Sequence, residues 1–195
     1  MNSPVAGQAE LFDGLRPVPE GLVYRLNFIT QAEEASLLGA IATLPLREAR
    51  YKAFTAKRRI VSFGSEYDFE KNELAPAPPL SPFLAPLRDK AADWLKLPAA
   101  AFAHALVTEY RPGTALGWQR DAPNFGVTVG ISLGGPCRMR FRPYPPKKKG
   151  NVFALELAPR SAYLLQGEVR WRWQHSIAPT KTLRHSITFR TLATR

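Results

Sequence analysis

The chain has one cysteine, three histidines and no apolar run long enough to cross a membrane as a helix, which takes roughly 20 residues. A lone thiol, Cys137, rules out an internal disulfide and a zinc site built on several cysteines. The first residues, MNSPVAGQAELFDG, carry no basic flank leading into an apolar stretch, so no secretory signal is expected. Together these absences predict an intracellular, cytoplasmic protein with no membrane partner. No segment repeats. Positive charge is abundant: 27 Lys and Arg stand against 16 Asp and Glu, a net charge of +11. Such a surplus favours an anionic partner such as nucleic acid or an anionic membrane surface, the alternative being a merely basic, soluble protein.

At 195 residues and 45% hydrophobic, the chain is long enough for one domain with a substantial core, expected over residues 1–195. Residues 1–20 read as an irregular arm. Thr30 and Glu33 form a capping box, and Ala35, Leu38 and Ile41 follow at helical spacing, predicting a helix from Gln31 to about Thr43. Residues 45–75 mix bases with aromatics and read as hairpins or a long loop. Ser81-Pro82 opens a second helix whose apolar face is Leu84, Leu87, Ala91, Trp94 and Leu95, ending before Pro98. From residue 102 to 192 the pattern is strands, at 104–110, 125–133, 137–142, 152–157, 161–166, 170–176 and 184–191, separated by Pro and Gly turns. The expectation is an α+β, mainly β fold, a sandwich, barrel or jelly roll with two N-terminal helices against one sheet.

Chemistry concentrates in three places. Gln119 and Asp121 lie one residue apart on an extended segment, so both point the same way; Asp121 suits a metal, a base or a salt bridge. His175 follows an aromatic strand and is free to meet Asp121 across a barrel. In RHSITFR, Arg184, Ser186, Thr188 and Arg190 share one strand face while His185 faces the other way. Two guanidinium groups on that face offer two anion clamps about 20 Å apart along a straight strand.

In this order, Gln119-Arg120-Asp121, His175 and Arg184-x-Ser186-x-Thr188-x-Arg190 resemble the H-x-D, distant H and R-x-N-x-T-x-R of the AlkB family of Fe(II)- and 2-oxoglutarate-dependent dioxygenases. TEYRPGTALGWQRD resembles the family's strand, Pro-Gly turn and metal motif, and AKRRIVSFGSEYDF (residues 56–69) its basic lid. The likeness covers roughly residues 20–192. It implies a double-stranded β-helix, a jelly roll with core 102–192 and a nucleotide-recognition lid at 45–75. It implies Fe(II) held by Asp121 and His175, with Gln119 where the family has its first iron histidine. It implies 2-oxoglutarate bound by Tyr110, Thr108, Arg184 and Ser186, with Arg190 near its C1 carboxylate and near Asp121. Asp121, His175 and Arg190 would form the catalytic centre. Ser186 and Thr108 replace asparagines of the family or of some relatives, keeping a hydroxyl but fewer donors.

In the lid, Lys57, Arg58 and Arg59 can neutralise phosphates, while Phe63, Tyr67 and Phe69 offer faces for a flipped base, the alternative being a hairpin whose aromatics fill core, which suits Phe63 at least as well. PPKKKG (145–150) is a second basic patch. The implied activity is oxidative demethylation of N-alkylated bases in DNA or RNA by a monomer without an obligate protein partner. The alternatives are a non-catalytic nucleic-acid-binding protein on the same scaffold, or a dioxygenase of another substrate. Gln119 is the departure that opens the choice between turnover and binding alone. A glutamine amide oxygen is a weaker donor than a neutral imidazole, so iron affinity is expected to fall by at least about 10–100-fold. His104 is no easy substitute, lying about 20 Å along its strand from Tyr110. Both co-substrate arginines are retained, which favours an enzyme scaffold with one altered ligand. Ala122, Pro123 and Asn124 follow Asp121 where some relatives have an acid, so base preference does not carry over.

Overall fold

The fold is described from a computed structural model covering residues 18–51, 54–68, 71, 73–146 and 152–194. Most of the N-terminal arm, Phe69 and the lysines of PPKKKG lie outside the described residues. In chain order the elements are β1 (Leu22–Arg25), α1 (Gln31–Ile41), β2 (Arg47–Tyr51), β3 (Phe54–Phe63), β4 (Ser65–Asp68), β5 (Glu73–Pro76), α2 (Ala85–Leu95) and β6 (Phe102–Tyr110). They continue with β7 (Leu116–Gln119), β8 (Phe125–Gly134), β9 (Cys137–Pro143), β10 (Phe153–Leu157), β11 (Ala162–Leu165), α3 (Gly167–Arg172), β12 (Trp173–Ile177) and β13 (Arg184–Leu192).

Two antiparallel sheets face each other: a seven-stranded one in the order β1-β11-β8-β13-β6-β3-β2 and a four-stranded one in the order β10-β9-β12-β7. β4 and β5 form a separate hairpin. This is the expected mainly β jelly-roll arrangement. The space between the sheets is filled by Leu22, Tyr24, Leu116, Met139, Phe141, Phe153, Leu155, Leu157 and Ile177. The other side of the large sheet, through Ala105, Val107, Val129, Ile131, Leu133, Ile187 and Phe189, is covered by Leu37, Ile41, Leu84, Leu87 and Ala91 of the helical segments. Each fully buried Leu or Ile there contributes roughly 1.5–3 kcal/mol.

Local chemistry explains the helices. Thr30 Oγ1 accepts from the Glu33 amide at 3.1 Å, and the Glu33 carboxylate accepts from the Thr30 amide at 2.6 Å, satisfying two N-terminal donors. Glu34 ties α1 to the large sheet by accepting from the Gly134 amide (2.9 Å) and Arg160 (2.9 Å). Among the described residues no helix is long and apolar enough to cross a membrane.

Of the two readings for residues 45–75, hairpins hold among the described residues: β2 pairs with β3 and β4 with β5, and β2 and β3 extend the large sheet. One expectation changes. Residues 170–176, expected as one strand, split into the end of α3 and then β12. The reason is Arg170: it is 4% exposed, and its guanidinium donates to the carbonyls of Gly126 (2.8 Å), Ala122 (2.7 Å) and Phe125. A helical turn aims that side chain at the loop after Asp121, and the tertiary contacts outweigh the strand propensity of the surrounding tryptophans.

Gly130 of β8 pairs with Tyr163 of β11, and a Cβ on it would lie 2.2 Å from the Tyr163 ring. Gly130→Ala is therefore expected to overpack the interior and destabilise the fold by about 1–3 kcal/mol, read as a lower urea midpoint at unchanged slope.

Candidate active site

Three central strands set one polar stripe between the sheets. Arg184, Ser186 and Arg190 of β13 pair with Tyr110, Thr108 and His104 of β6, and on the other side with Gly134, Ser132 and Thr128 of β8. Because side chains alternate, the apolar partners Ile187 and Phe189 face the helices instead.

At one end of the stripe Arg184 is completely buried. Its guanidinium carbon lies 4.9 Å from the centre of the Tyr110 ring, and its Nε donates weakly to Ser132 Oγ at 3.3 Å. Nη1 has no hydrogen-bond partner, and no acidic side chain among the described residues pairs with it. A buried cation with an orphan donor calls for an anion. Tyr163, 8% exposed, belongs to the same interior cluster, and burial pushes its phenol up to about 12, so it remains a neutral donor.

At the other end Arg190 Nη2 meets Asp121 Oδ1 at 2.9 Å, and the Thr128 hydroxyl donates to Asp121 Oδ2 at 3.2 Å. Burial of Asp121 pushes its carboxyl up, but Arg190, His175 and Arg170 together outweigh this and hold it well below the usual carboxylate range. β12 and β7 pair His175 directly with Gln119, and the two Nε2 atoms are 3.4 Å apart. Turning the amide end for end presents its oxygen instead. Burial lowers the His175 pKa, so its ring is neutral and keeps a lone pair. An ionised carboxylate and an amide thus line one cleft, with a neutral imidazole beside the amide. Among the described residues no three His, Cys, Asp or Glu side chains form a metal set, so a third protein donor beside Asp121 and His175 would have to be the Gln119 amide. In kind this set fits a divalent cation, weakly; the orphan Arg184 fits a carboxylate co-substrate.

A cleft of about 390 Å³ opens over Asp121, lined also by Gln119, Arg190, Arg58, Tyr67 and Trp171. Of the lid residues, Arg58 turns toward the cleft and is buried, which lowers its pKa. Lys57 is exposed. Two expectations for base and phosphate contact are corrected by strand parity. Phe63 pairs with Ala105 on the helix side and is 7% exposed in the core, so it offers no face to a base. Arg59 pairs with Glu109 on that same side and makes two bonds to its carboxylate, at 2.8 and 2.7 Å, so it is committed to an acid.

His104 enters the site unanticipated. Its distance from Tyr110 is no obstacle, because the stripe is as long as β13 and His104 stands at the Arg190 end. Arg190 Nη1 donates to His104 Nδ1 at 3.2 Å, and the His104 ring stacks against Phe125 at 4.7 Å. Burial first, then Arg190, pushes its pKa down to about 3. Arg170, clamping the loop after Asp121, and Tyr163 were also missed; only their places in the fold reveal them.

A His whose folded pKa is depressed binds fewer protons than it does unfolded below about 6.5, so stability falls as the pH drops from there toward 3. His104→Gln, which retains an acceptor for Arg190, is expected to flatten the loss of unfolding free energy between pH 6 and 4 by up to about 1.4 kcal/mol per pH unit. Urea titrations at several pH values measure this.

Residues 21–190 match the 2OG-Fe(II) oxygenase superfamily. The chain is 32% identical over 195 residues to the Arabidopsis thaliana "Alkylated DNA repair protein ALKBH8 homolog", covering 86% of this chain and 53% of that one. It is 26% identical to the Mus musculus "tRNA (carboxymethyluridine(34)-5-O)-methyltransferase ALKBH8" over 86% of this chain and 26% of that one. The chain thus spans about half, or less, of these relatives' length. The fold superposes on the solved structure of OsALKBH1 with a TM-score of 0.66 at 16% identity, covering 92% of this chain and 99% of the other. The AlkB resemblance and the dioxygenase fold therefore hold, and the chain belongs to the 2OG-Fe(II) oxygenase superfamily, whose chemistry uses Fe(II) and 2-oxoglutarate.

Proposed function

We propose that this chain is built for oxidative removal of N-alkyl groups from bases in DNA or RNA, with iron binding weakened by Gln119. The observation that carries the reading is the shared cleft: Arg58 and Tyr67 of the lid strands line the same space as Gln119, Asp121 and Arg190. A flat base entering from outside passes between a cation and an aromatic ring before reaching Asp121 and Gln119. The relatives' names add support, since one names alkylated DNA and the other tRNA.

In this reading Asp121, His175 and the Gln119 amide hold Fe(II). Held there, Fe(II) with oxygen and 2-oxoglutarate would supply the oxidation: 2-oxoglutarate would be decarboxylated to succinate and CO2, and an N-methyl carbon would be hydroxylated and leave as formaldehyde. Arg184 pairs with the distal carboxylate of 2-oxoglutarate, with Tyr110, Thr108 and Ser186 beside it and the Tyr163 phenol as a further donor. Arg190 keeps Asp121 ionised and oriented, while His104 takes a second Arg190 hydrogen bond and fixes that guanidinium from behind. Arg170 holds the loop that carries Asp121.

Gln119 itself supports a second reading, binding of nucleic acid without turnover. An iron titration separates the two. Gln119→His is expected to raise Fe(II) affinity at least about 10-fold and to raise succinate and formaldehyde release on an N-methylated oligonucleotide. If that variant binds iron and 2-oxoglutarate yet frees no formaldehyde from methylated DNA or RNA, the substrate assignment is wrong. Arg184→Gln is expected to weaken 2-oxoglutarate binding at least about 100-fold in calorimetry with Mn(II) as a redox-inert metal, because a buried charge pair is lost.

A further inference from the structure

The outer face of the four-stranded sheet is unusual. Cys137, Met139 and Phe141 of β9 point between the sheets, which leaves Arg138, Arg140 and Arg142 outside. Arg140 and Arg142 stack on one ring, Trp118 of β7, with guanidinium carbons 5.3 and 4.4 Å from its centre. Each is fixed by a single bond from its Nε, Arg140 to Ser176 Oγ (3.0 Å) and Arg142 to Gln174 Oε1 (2.8 Å). No carboxylate among the described residues pairs with either; the only acid engaged on this face is Glu156, 3.6 Å from Arg138, with both side chains well exposed. Toward the cleft the pattern continues. Arg120 lies 4.0 Å over the Tyr144 ring, Tyr144 is 44% exposed and Trp171 is 45% exposed. Arg120 and Trp171 also line the cleft, so this face begins at its wall.

Clustered guanidinium groups without acids repel one another, a cost that a polyanion removes. Stacking on Trp118 and one anchoring bond hold both planar forks in place, so little side-chain freedom remains to be lost when their other N–H groups meet phosphate. Same-face arginines on β9 repeat every ~7 Å, a spacing that an extended phosphodiester backbone can follow. The exposed rings of Tyr144 and Trp171 suit unpaired bases, which a duplex would keep stacked internally. An acidic peptide would use the arginines but leave the rings unexplained.

Accordingly, we propose that the outer face of the four-stranded sheet, centred on Trp118, Arg140 and Arg142, is a track for single-stranded nucleic acid running from the cleft. This rests on the nucleic-acid reading of the site. The test is fluorescence anisotropy of the full chain with a short labelled single-stranded DNA, its RNA equivalent and the duplex, across a salt series, with poly-glutamate as competitor. Arg140→Gln/Arg142→Gln is expected to weaken single-strand binding about 10-fold and to lower the log–log salt slope by about 1.4, two phosphate contacts' worth. Should circular dichroism show that the double variant is unfolded, Arg142→Gln alone is read for a slope decrease of about 0.7. Stronger binding of either single strand than of the duplex supports the track, and the DNA and RNA arms show which is preferred. If the parent binds and the variants match it in affinity and slope, or if poly-glutamate competes as well as the oligonucleotide, the track is wrong while the cleft reading stands. If the parent binds no nucleic acid at all, both fail, whereas loss of formaldehyde release alone would count only against the chemistry.

Discussion

Strand alternation on β13 separates two environments that could not share a face. Arg184, Ser186, Thr188 and Arg190 point between the sheets, and Ile187 and Phe189 point at the helices. A shift of one residue in pairing would drive two arginines into the helix-covered core and expose the apolar pair. Central position reinforces this register, because β13 is bonded to both β6 and β8. The apolar face therefore keeps the polar stripe in line, and everything in the site takes its place from that line. His104 and Thr128 flank Arg190, while Thr108 and Ser132 flank Ser186.

The two arginines are buried on different terms. Arg190 has its countercharge within the chain, since Asp121 lies 2.9 Å away and His104 accepts a second bond. Arg184 has an aromatic ring and a hydroxyl but no acid. Desolvating an arginine costs several kcal/mol unless its donors are met, so the fold carries at Arg184 a debt that a dicarboxylate would settle. Any ligand that binds the folded state alone adds stability by mass action, and at this position the gain should be large. The same imbalance appears outside, where Arg140 and Arg142 rest on Trp118 without acids. In both places guanidinium groups stand without an acidic partner among the described residues, the arrangement an anion would complete.

Much of this was legible in the sequence, and the limits have physical causes. The capping box at Thr30 and Glu33 is a local signal and forms as read. The alternation in RHSITFR fixes which residues share a face, whatever the partner strands. The same parity, applied to residues 57–63, separates Arg58 from Arg59 and Phe63; lacking a known partner strand, the basic and aromatic character of that segment hid the distinction. Arg170 and Tyr163 carry no local mark. Arg170 is buried because three carbonyls of the loop after Asp121 lie within its reach, and Tyr163 lies over Gly130 because β11 pairs with β8. Such contacts join residues more than thirty positions apart and no window of sequence contains them.

Gln119 can now be weighed against its surroundings. A position freed from metal binding has no need of a polar group facing His175, nor of a carboxylate held ionised behind it. Yet the amide nitrogen stands 3.4 Å from His175 Nε2, Asp121 keeps its Arg190 and Thr128 bonds, and Arg184 keeps an orphan donor. His175 is held neutral by burial, the state in which its nitrogen can donate to a metal. Residue 119 sits on the four-stranded sheet, whereas the side chains proposed to hold the co-substrate sit on the other. In the proposed reading the large sheet would receive the carboxylate and hold Asp121 through Arg190 and Thr128, while Gln119 and His175 of the small sheet would complete the metal's donors.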